Sequence, residues 1–150
     1  MEWTVKGWSE LSLDEIEKIF MLRSEVFVVE QDCIYQDIDG KDKFAKHVLG
    51  FEKKELIAYS RIFKPGDYFK EASFGRAVVK KTHRGKGIGD ELVKKSVEQL
   101  EEKTIKISAQ SYLTGFYSNH GFISKGEEYL EDGIPHTAMF HNIYLAKNNV

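Results

Sequence analysis

One segment, residues 74–89, constrains this chain more than any other. An apolar run, Phe74-Gly-Arg-Ala-Val-Val79, is followed by a short polar turn and then by His83-Arg-Gly-Lys-Gly-Ile-Gly89. Glycine has no Cβ, so its backbone can approach a ligand closely. The first amide N–H groups of a helix have no intrahelical partner and carry partial positive charge. We therefore expect a strand, a glycine turn and a helix N-terminus that together bind a phosphate or pyrophosphate.

The spacing of apolar residues predicts a helix directly after the turn. These residues are Ile88, Leu92, Val93, Val97 and Leu100. Acidic Asp90 near the start and basic Lys103 near the far end have the charges that a helix dipole favours. The helix is therefore predicted from about Ile88 to Lys103. Arg84 and Lys86 place cations beside the turn, which favours an anionic ligand.

Two common nucleotide-binding patterns do not fit these glycines. A Walker A loop has a Lys-Ser/Thr pair after its last glycine, and Gly85-Lys-Gly87 lacks that pair. A dinucleotide-binding fingerprint requires G-x-G-x-x-G, whereas the glycines here are at positions 85, 87 and 89. A glycine-rich turn whose basic residues are merely solvated is the alternative interpretation.

The pattern Arg84-x-x-Gly87-x-Gly89 resembles the acetyl-CoA signature of the GNAT superfamily of acetyltransferases. Downstream, the alternating Ile105-Lys-Ile-Ser-Ala-Gln110 and the segment 111–122, with its Phe-Tyr and Gly-Phe pairs, resemble the second block of that superfamily. Three other segments, 23–31, 35–40 and 132–136, are similar to its ElaA-like bacterial branch. The resemblance extends from about Leu22 to Met139 and keeps the order of the family's blocks.

This resemblance implies a fold and an activity. The fold is mixed α/β (α+β), a single domain over residues 1–150 with a central mixed, largely antiparallel sheet flanked by helices. The activity is the transfer of an acetyl group from acetyl-CoA to a primary amine of a small molecule or peptide, by direct attack on the thioester. A non-catalytic sensor or interaction module that binds acyl-CoA with the same fold is the alternative.

The resemblance also assigns residues to the cofactor and to the leaving group. The cofactor residues are Val78, Val79, Arg84, Gly85, Lys86, Gly87, Ile88 and Gly89. Arg84 is expected at the 3′-phosphate, and the backbone amide of Val79 is expected to stabilise the oxyanion. Tyr117, in the element Phe116 to Phe122, is the expected general acid for the departing thiolate, and a tyrosine that only packs the helix is the alternative.

The sequence leaves the general base open. An ammonium acceptor must lose a proton before it can attack, so a base is required. Glu30 and His136 are the candidates, and the ordinary pKa of histidine, near 6.5, suits that role. Each has a structural alternative, as a loop cap or a hydrogen-bonded histidine, and ordered water could also serve.

Polar residues in other contexts give further expectations. Arg76 and Gln110 interrupt apolar strands, so we expect them to line the acceptor pocket unless they face solvent or an ion pair. The spacing of Asp37-x-Asp39-Gly-x-Asp42 does not match a calcium loop, which leaves a surface turn or an acidic rim that attracts a cationic amine. Cys33 has no partner cysteine, and no metal site is expected.

Bulk properties limit the partners of the chain. The net charge of −2 gives no drive toward nucleic acid or anionic membranes. The N-terminal residues lack the apolar core of a signal peptide, and no run approaches membrane-spanning length, so a cytoplasmic location is expected. A homodimer is compatible with the sequence.

Local patterns predict the remaining elements. Ser12 and Glu15 form a capping box before a first helix, and a long polar loop is expected over about residues 30–46. A short helix is expected near Leu113–Asn119. Strands are predicted at residues 3–8, 47–51, 56–63, 74–79, 105–110, 123–130 and 137–145.

Overall fold

The computed structural model describes residues 1–100 and 104–142. Its strands are β1 (Glu2–Gly7), β2 (Lys46–Glu52), β3 (Glu55–Phe63), β4 (Ser73–Val79), β5 (Thr104–Gln110), β6 (Ile123–Ser124), β7 (Tyr129–Glu131) and β8 (Ile134–Asn142). Its α-helices are α1 (Leu13–Arg23), α2 (Ile88–Glu98) and α3 (Thr114–Ser118), and a π-helical segment, Ser24–Glu30, continues α1.

The strands form two antiparallel sheets that meet at one point. The first sheet has the order β1-β2-β3-β4; the second has the order β5-β8-β6, with β7 also paired to β8. A parallel bridge between Ala72 and Ile105 joins them, and Lys106 N donates to Ala72 O at 2.9 Å. Beyond this bridge β4 pairs with β3 and β5 pairs with β8, so β4 and β5 diverge. The predicted mixed, largely antiparallel fold is confirmed.

The first sheet is buried on both faces. Neighbouring side chains of a strand point to opposite faces, and the adjacent Val48 and Leu49 accordingly belong to different apolar clusters. The Val48 cluster also contains Leu92 and Val93 of α2, whereas the Leu49 cluster also contains residues of α1. The helices therefore cover opposite faces and fix the position of β4 between them.

Several element boundaries differ from the prediction. The capping box is confirmed, since Ser12 Oγ accepts from Glu15 N at 3.1 Å and Ser12 N donates to Glu15 Oε1 at 2.9 Å. Helix α2 ends at Glu98 rather than near Lys103, and residues 101–103 lie outside the described part. The strand predicted at 123–130 is two short strands, β6 and β7. The last strand begins at Ile134, and residues 143–145 of its predicted range are not described.

The acidic motif in the loop after α1 is buried, so its interpretation as a surface turn or a free acidic rim is wrong. Asp37 and Asp42 are 7% and 3% exposed. Arg23 Nε lies 2.8 Å from Asp37 and its Nη1 lies 2.7 Å from Asp42. Arg61 Nη2 lies 2.7 Å from Asp39 Oδ2, and its Nη1 lies 3.1 Å from Asp42 Oδ1. The aspartates neutralise arginines inside the fold and cannot act as an unpaired acidic surface.

No helix within the described residues is both long enough and apolar enough to span a membrane.

Candidate active site

A cleft of about 510 Å³ opens where β4 and β5 diverge. Its walls include the end of β4, the glycine turn, the start of α2, β5, α3 and the turn between β7 and β8. All of the predicted cofactor residues line it except Lys86, which is exposed. The strand, turn and helix predicted from residues 74–89 thus surround a single cavity.

A β-bulge in β4 helps to open the cleft. Tyr59 pairs with Val78 and Arg61 pairs with Gly75, so Arg76 and Ala77 lie opposite a single residue of β3. A bulge of this kind bends its strand. Arg76 has a φ of 48°, a left-handed conformation that is uncommon for a residue other than glycine. Strained backbone of this kind concentrates at functional sites.

The main chain of Val79 faces the cleft. Lys80 N donates to Ile57 O at 2.7 Å, which places Lys80 in a hydrogen-bonded pair with β3. Hydrogen-bonded and non-hydrogen-bonded pairs alternate along an antiparallel ladder. Val79, the residue before Lys80, is therefore in a non-hydrogen-bonded pair, and its N–H and C=O point away from β3. The carbonyl accepts a hydrogen bond from Arg84 Nε at 3.0 Å. The amide N–H of Val79 is thereby directed toward the space between β4 and β5.

The glycine turn presents main-chain amides at the start of α2. Gly85 and Gly87 both have φ +80°, and a Cβ at either position would meet no atom within 4 Å. Gly87 is the N-cap of α2, and its helix start has no side-chain cap. These glycines are required by the left-handed backbone, not by crowding. The first amides of α2 are therefore free to bind an anion.

Arg84 connects the turn to the segment after α1. Its Nη1 lies 2.7 Å from Glu30 Oε2, and its Nη2 lies 3.1 Å from Glu30 Oε1. Together with the bond to Val79 O, these contacts engage all three guanidinium nitrogens. Glu30, one of the two candidate bases, shares both oxygens with a cation, which leaves it fewer lone pairs for a proton. The assignment of Arg84 to a 3′-phosphate stays a prediction.

Tyr117 lies in α3 at the base of the cleft. It is 8% exposed and packs against Phe74 and Phe116. Burial, and secondarily the nearby Tyr112, raises the pKa of Tyr117 to about 12. The hydroxyl therefore keeps its proton at neutral pH. Such a group can donate a proton, and it does not act as a base while it stays protonated.

His136, the second candidate base, lies on β8 in the wall of the cleft. Its Nδ1 is 2.7 Å from the carbonyl oxygen of Ile134, and its Nε2 is 3.2 Å from Glu131 Oε2. It is buried and lies opposite Gln110 of β5. Sequence reasoning missed Glu131, because its position in a short strand has no local pattern that marks it.

Arg76 and Gln110 both line the cleft, and both already have partners. Arg76 Nε lies 2.7 Å from Asp37 Oδ1, and its guanidinium lies over the ring of Tyr35 at 5.5 Å. Gln110 exchanges two side-chain hydrogen bonds with Gln31, at 3.0 and 3.2 Å. The sequence left two alternatives for Arg76, a place in the pocket wall or an ion pair, and the structure shows both. A role of either residue in binding an acceptor stays a prediction.

Residues 10–142 match the family described as the acetyltransferase (GNAT) domain. The chain belongs to the GNAT family. It is similar to the protein ElaA of Escherichia coli strain K12, with 40% identity over 152 residues that cover 97% of this chain and 99% of ElaA. The crystal structure of Escherichia coli ElaA superposes with a TM-score of 0.88, covering 94% of this chain and 99% of ElaA.

A second solved structure agrees with this assignment. An acyl-CoA N-acyltransferase from Pseudomonas aeruginosa is 35% identical, with a TM-score of 0.88 over 94% of this chain and 99% of that one. As a GNAT protein this chain is an acyltransferase, which uses an acyl-CoA co-substrate and an acceptor. The free amides of the glycine turn and the cleft behind them fit such a co-substrate, because its pyrophosphate needs main-chain donors.

Proposed function

We propose that this GNAT protein transfers an acetyl group from acetyl-CoA to a primary amine of a small molecule or peptide. One observation carries the proposal. The uncapped amides of the glycine turn, the inward amide of Val79 and the hydroxyl-bearing Tyr117 belong to the same cleft. The choice of acetyl over a longer acyl group rests on the description of the matching family.

The geometry supports separate roles for the two parts of the cleft, the glycine turn and the end of β4. The turn at residues 85–89 would hold the pyrophosphate, with the start of α2 supplying main-chain donors. The thioester would then lie beside the end of β4, where the Val79 amide can stabilise the oxyanion. Removing one such donor typically costs about 2.7–4 kcal/mol of transition-state stabilisation.

The reaction needs no protein nucleophile. The neutral amine attacks the thioester carbon, and the carbon–sulfur bond breaks with its electron pair on sulfur. Tyr117 donates its proton to that sulfur. Its hydroxyl carries this proton at neutral pH, since burial raises its pKa to about 12. The Tyr117 oxygen recovers a proton from the nitrogen as the amide forms.

Thiol release measured over a panel of amines tests the proposal. We expect turnover with at least one primary amine, and a loss of about 100-fold in kcat for Tyr117→Phe. Tyr112→Phe is the matched control, because Tyr112 lies nearby but is 73% exposed. Tight binding of CoA in calorimetry without turnover of any amine would instead support a non-catalytic acyl-CoA sensor.

A further inference from the structure

Four polar side chains form a connected group on the wall built by β5, β7 and β8. Ser108 is on β5, Tyr129 and Glu131 are on β7, and His136 is on β8. Ser108, Glu131 and His136 line the cleft. The ring of Tyr129 stacks on that of His136 with centroids 6.2 Å apart and an interplanar angle of 24°. This group is separate from the ion pair that occupies Glu30.

The contacts of His136 determine where its protons lie. A carbonyl oxygen only accepts hydrogen bonds, so the 2.7 Å contact with Ile134 O places a proton on Nδ1. When the ring is neutral, Nε2 then carries a lone pair, and it faces a Glu131 oxygen at 3.2 Å. Nε2 and the Glu131 oxygen are then both hydrogen-bond acceptors, and one proton shared between them would satisfy both. Glu131 and His136 are therefore placed to hold one proton between them.

We propose that Glu131 and His136 together are the general base that removes the proton from the acceptor ammonium. Ser108 and Tyr129 are positioning residues. The Ser108 hydroxyl lies 3.4 Å from Glu131 Oε2, accepts from Tyr129, and so holds the carboxylate toward the ring. The proposal rests on the proposed acetyl transfer, since it names the base of that reaction.

The proton balance is complete without another reactant. An N–H bond of the ammonium breaks, its proton passes to the pair formed by Glu131 and His136, and the lone pair stays on nitrogen for the attack. Glu131 is 42% exposed, so the pair can return this proton to water. The second nitrogen proton goes to the Tyr117 oxygen, as described above. Each turnover releases one proton to solvent.

Other charged and titratable groups line the same cleft. Burial raises the pKa of Tyr68, and the charge of Glu131 adds to that shift, so Tyr68 lies near the pair. Asp132 follows Glu131 in the same wall. Arg61 and Arg76, two cations that line the cleft, are paired with aspartates.

Two acceptor amines of the same size test the proposal, because they differ only in that an oxygen replaces the CH2 group next to the nitrogen. At pH 7, 2-phenylethylamine is an ammonium that needs a base, whereas O-benzylhydroxylamine is already neutral. We expect Glu131→Gln and His136→Gln to lower kcat/KM for 2-phenylethylamine about 100-fold or more, and for O-benzylhydroxylamine less than about fivefold. Glu128→Gln, an exposed residue before β7, is the control. Equal losses for both acceptors would overturn the proposal.

The pH profile gives a second readout that a purely structural role would not change. The acidic limb of kcat/KM should change in Glu131→Gln, because this variant removes the carboxylate that faces Nε2 of His136 at 3.2 Å. The same limb should vanish in His136→Gln. An unmoved limb in both variants would contradict the pair as the base.

A third measurement does not depend on turnover. In ¹⁵N NMR of the unaltered protein, the neutral His136 ring should carry its proton on Nδ1 and leave Nε2 unprotonated. A neutral ring protonated at Nε2 would overturn the proposal even if acetyl transfer is confirmed. Absence of turnover with every amine would count against the proposed function alone.

Discussion

The guanidinium of Arg84 holds both carboxylate oxygens of Glu30, at 2.7 and 3.1 Å, and so joins the glycine turn to the π-helical end of α1. The same guanidinium bonds the carbonyl of Val79 at the end of β4. Three walls of the cleft therefore meet at one side chain. Arg84 is placed to set the distance between the glycine turn and the end of β4.

Replacing Arg84 by lysine should separate this role from stability. Lysine keeps the charge but cannot form the two parallel bonds to Glu30. Because the pair is partly exposed, we expect the free energy of unfolding to fall by less than about 1 kcal/mol. The KM for acetyl-CoA should rise about fivefold while kcat changes less. Urea unfolding and steady-state kinetics measure the two effects, and a large stability loss with unchanged KM would contradict this role.

Gly87→Val should abolish binding of CoA while the protein stays folded. Valine is strained at φ +80°, and its side chain would fill open space at the turn where we propose that the pyrophosphate binds. Gly126→Val is a matched control, because Gly126 has φ +85° with similar free space but lies between β6 and β7. Calorimetry should show lost affinity in the first variant only. Native affinity in Gly87→Val would place the cofactor elsewhere.

Stability should fall as the pH rises above 10. Burial raises the pKa of Tyr117 to about 12 and that of Tyr59 still higher, whereas unfolded tyrosines ionise near 10. Above pH 10 the unfolded chain therefore loses protons that the folded chain keeps, which favours unfolding. At pH 11 the loss due to Tyr117 should be on the order of 1 kcal/mol relative to pH 8. Urea unfolding of the native protein and of Tyr117→Phe would measure it, and parallel pH curves would refute the attribution.

Removing one member of the buried ion-pair group should be costly. Arg23 is fully buried and contacts Asp37 and Asp42, so Arg23→Met leaves carboxylates without their partner. Breaking a buried pair in this way typically destabilises a protein by about 3–5 kcal/mol. Lys18→Met, on the same helix but exposed, should change stability by less than about 0.5 kcal/mol. Similar unfolding midpoints for both variants would show that the buried group is dispensable.

Local patterns predicted the parts of the site that depend on local backbone chemistry. The glycines at 85–89 and the apolar spacing after Ile88 fix a turn and a helix, because both signals act within a few residues. The capping box at Ser12 and Glu15 is equally local. Each of these features was expected from the sequence and is present in the structure.

Long-range polar contacts could not be predicted in the same way. Asp42 contacts Arg61 across 19 positions, and Arg84 reaches Glu30 across 54. Charged residues in a loop normally indicate solvent, so their burial depends on partners that no local pattern identifies. The contact between Glu131 and His136 could not be predicted, because both residues fall in the connection between the strands predicted at 123–130 and 137–145, whereas the structure places them on the paired strands β7 and β8.

The bridge between Ala72 and Ile105 is the isolated β-bridge that joins the two sheets in the described residues, and Phe74 and Ile107 also share one apolar cluster across the junction. The first sheet leads into the glycine turn, whereas the second sheet carries Glu131 and His136. We therefore expect substitutions in the β7–β8 hairpin to alter the choice of acceptor more than the binding of acyl-CoA, as long as this shared core is kept. A redesign of acceptor specificity would accordingly begin at the hairpin and leave the residues of the shared core unchanged.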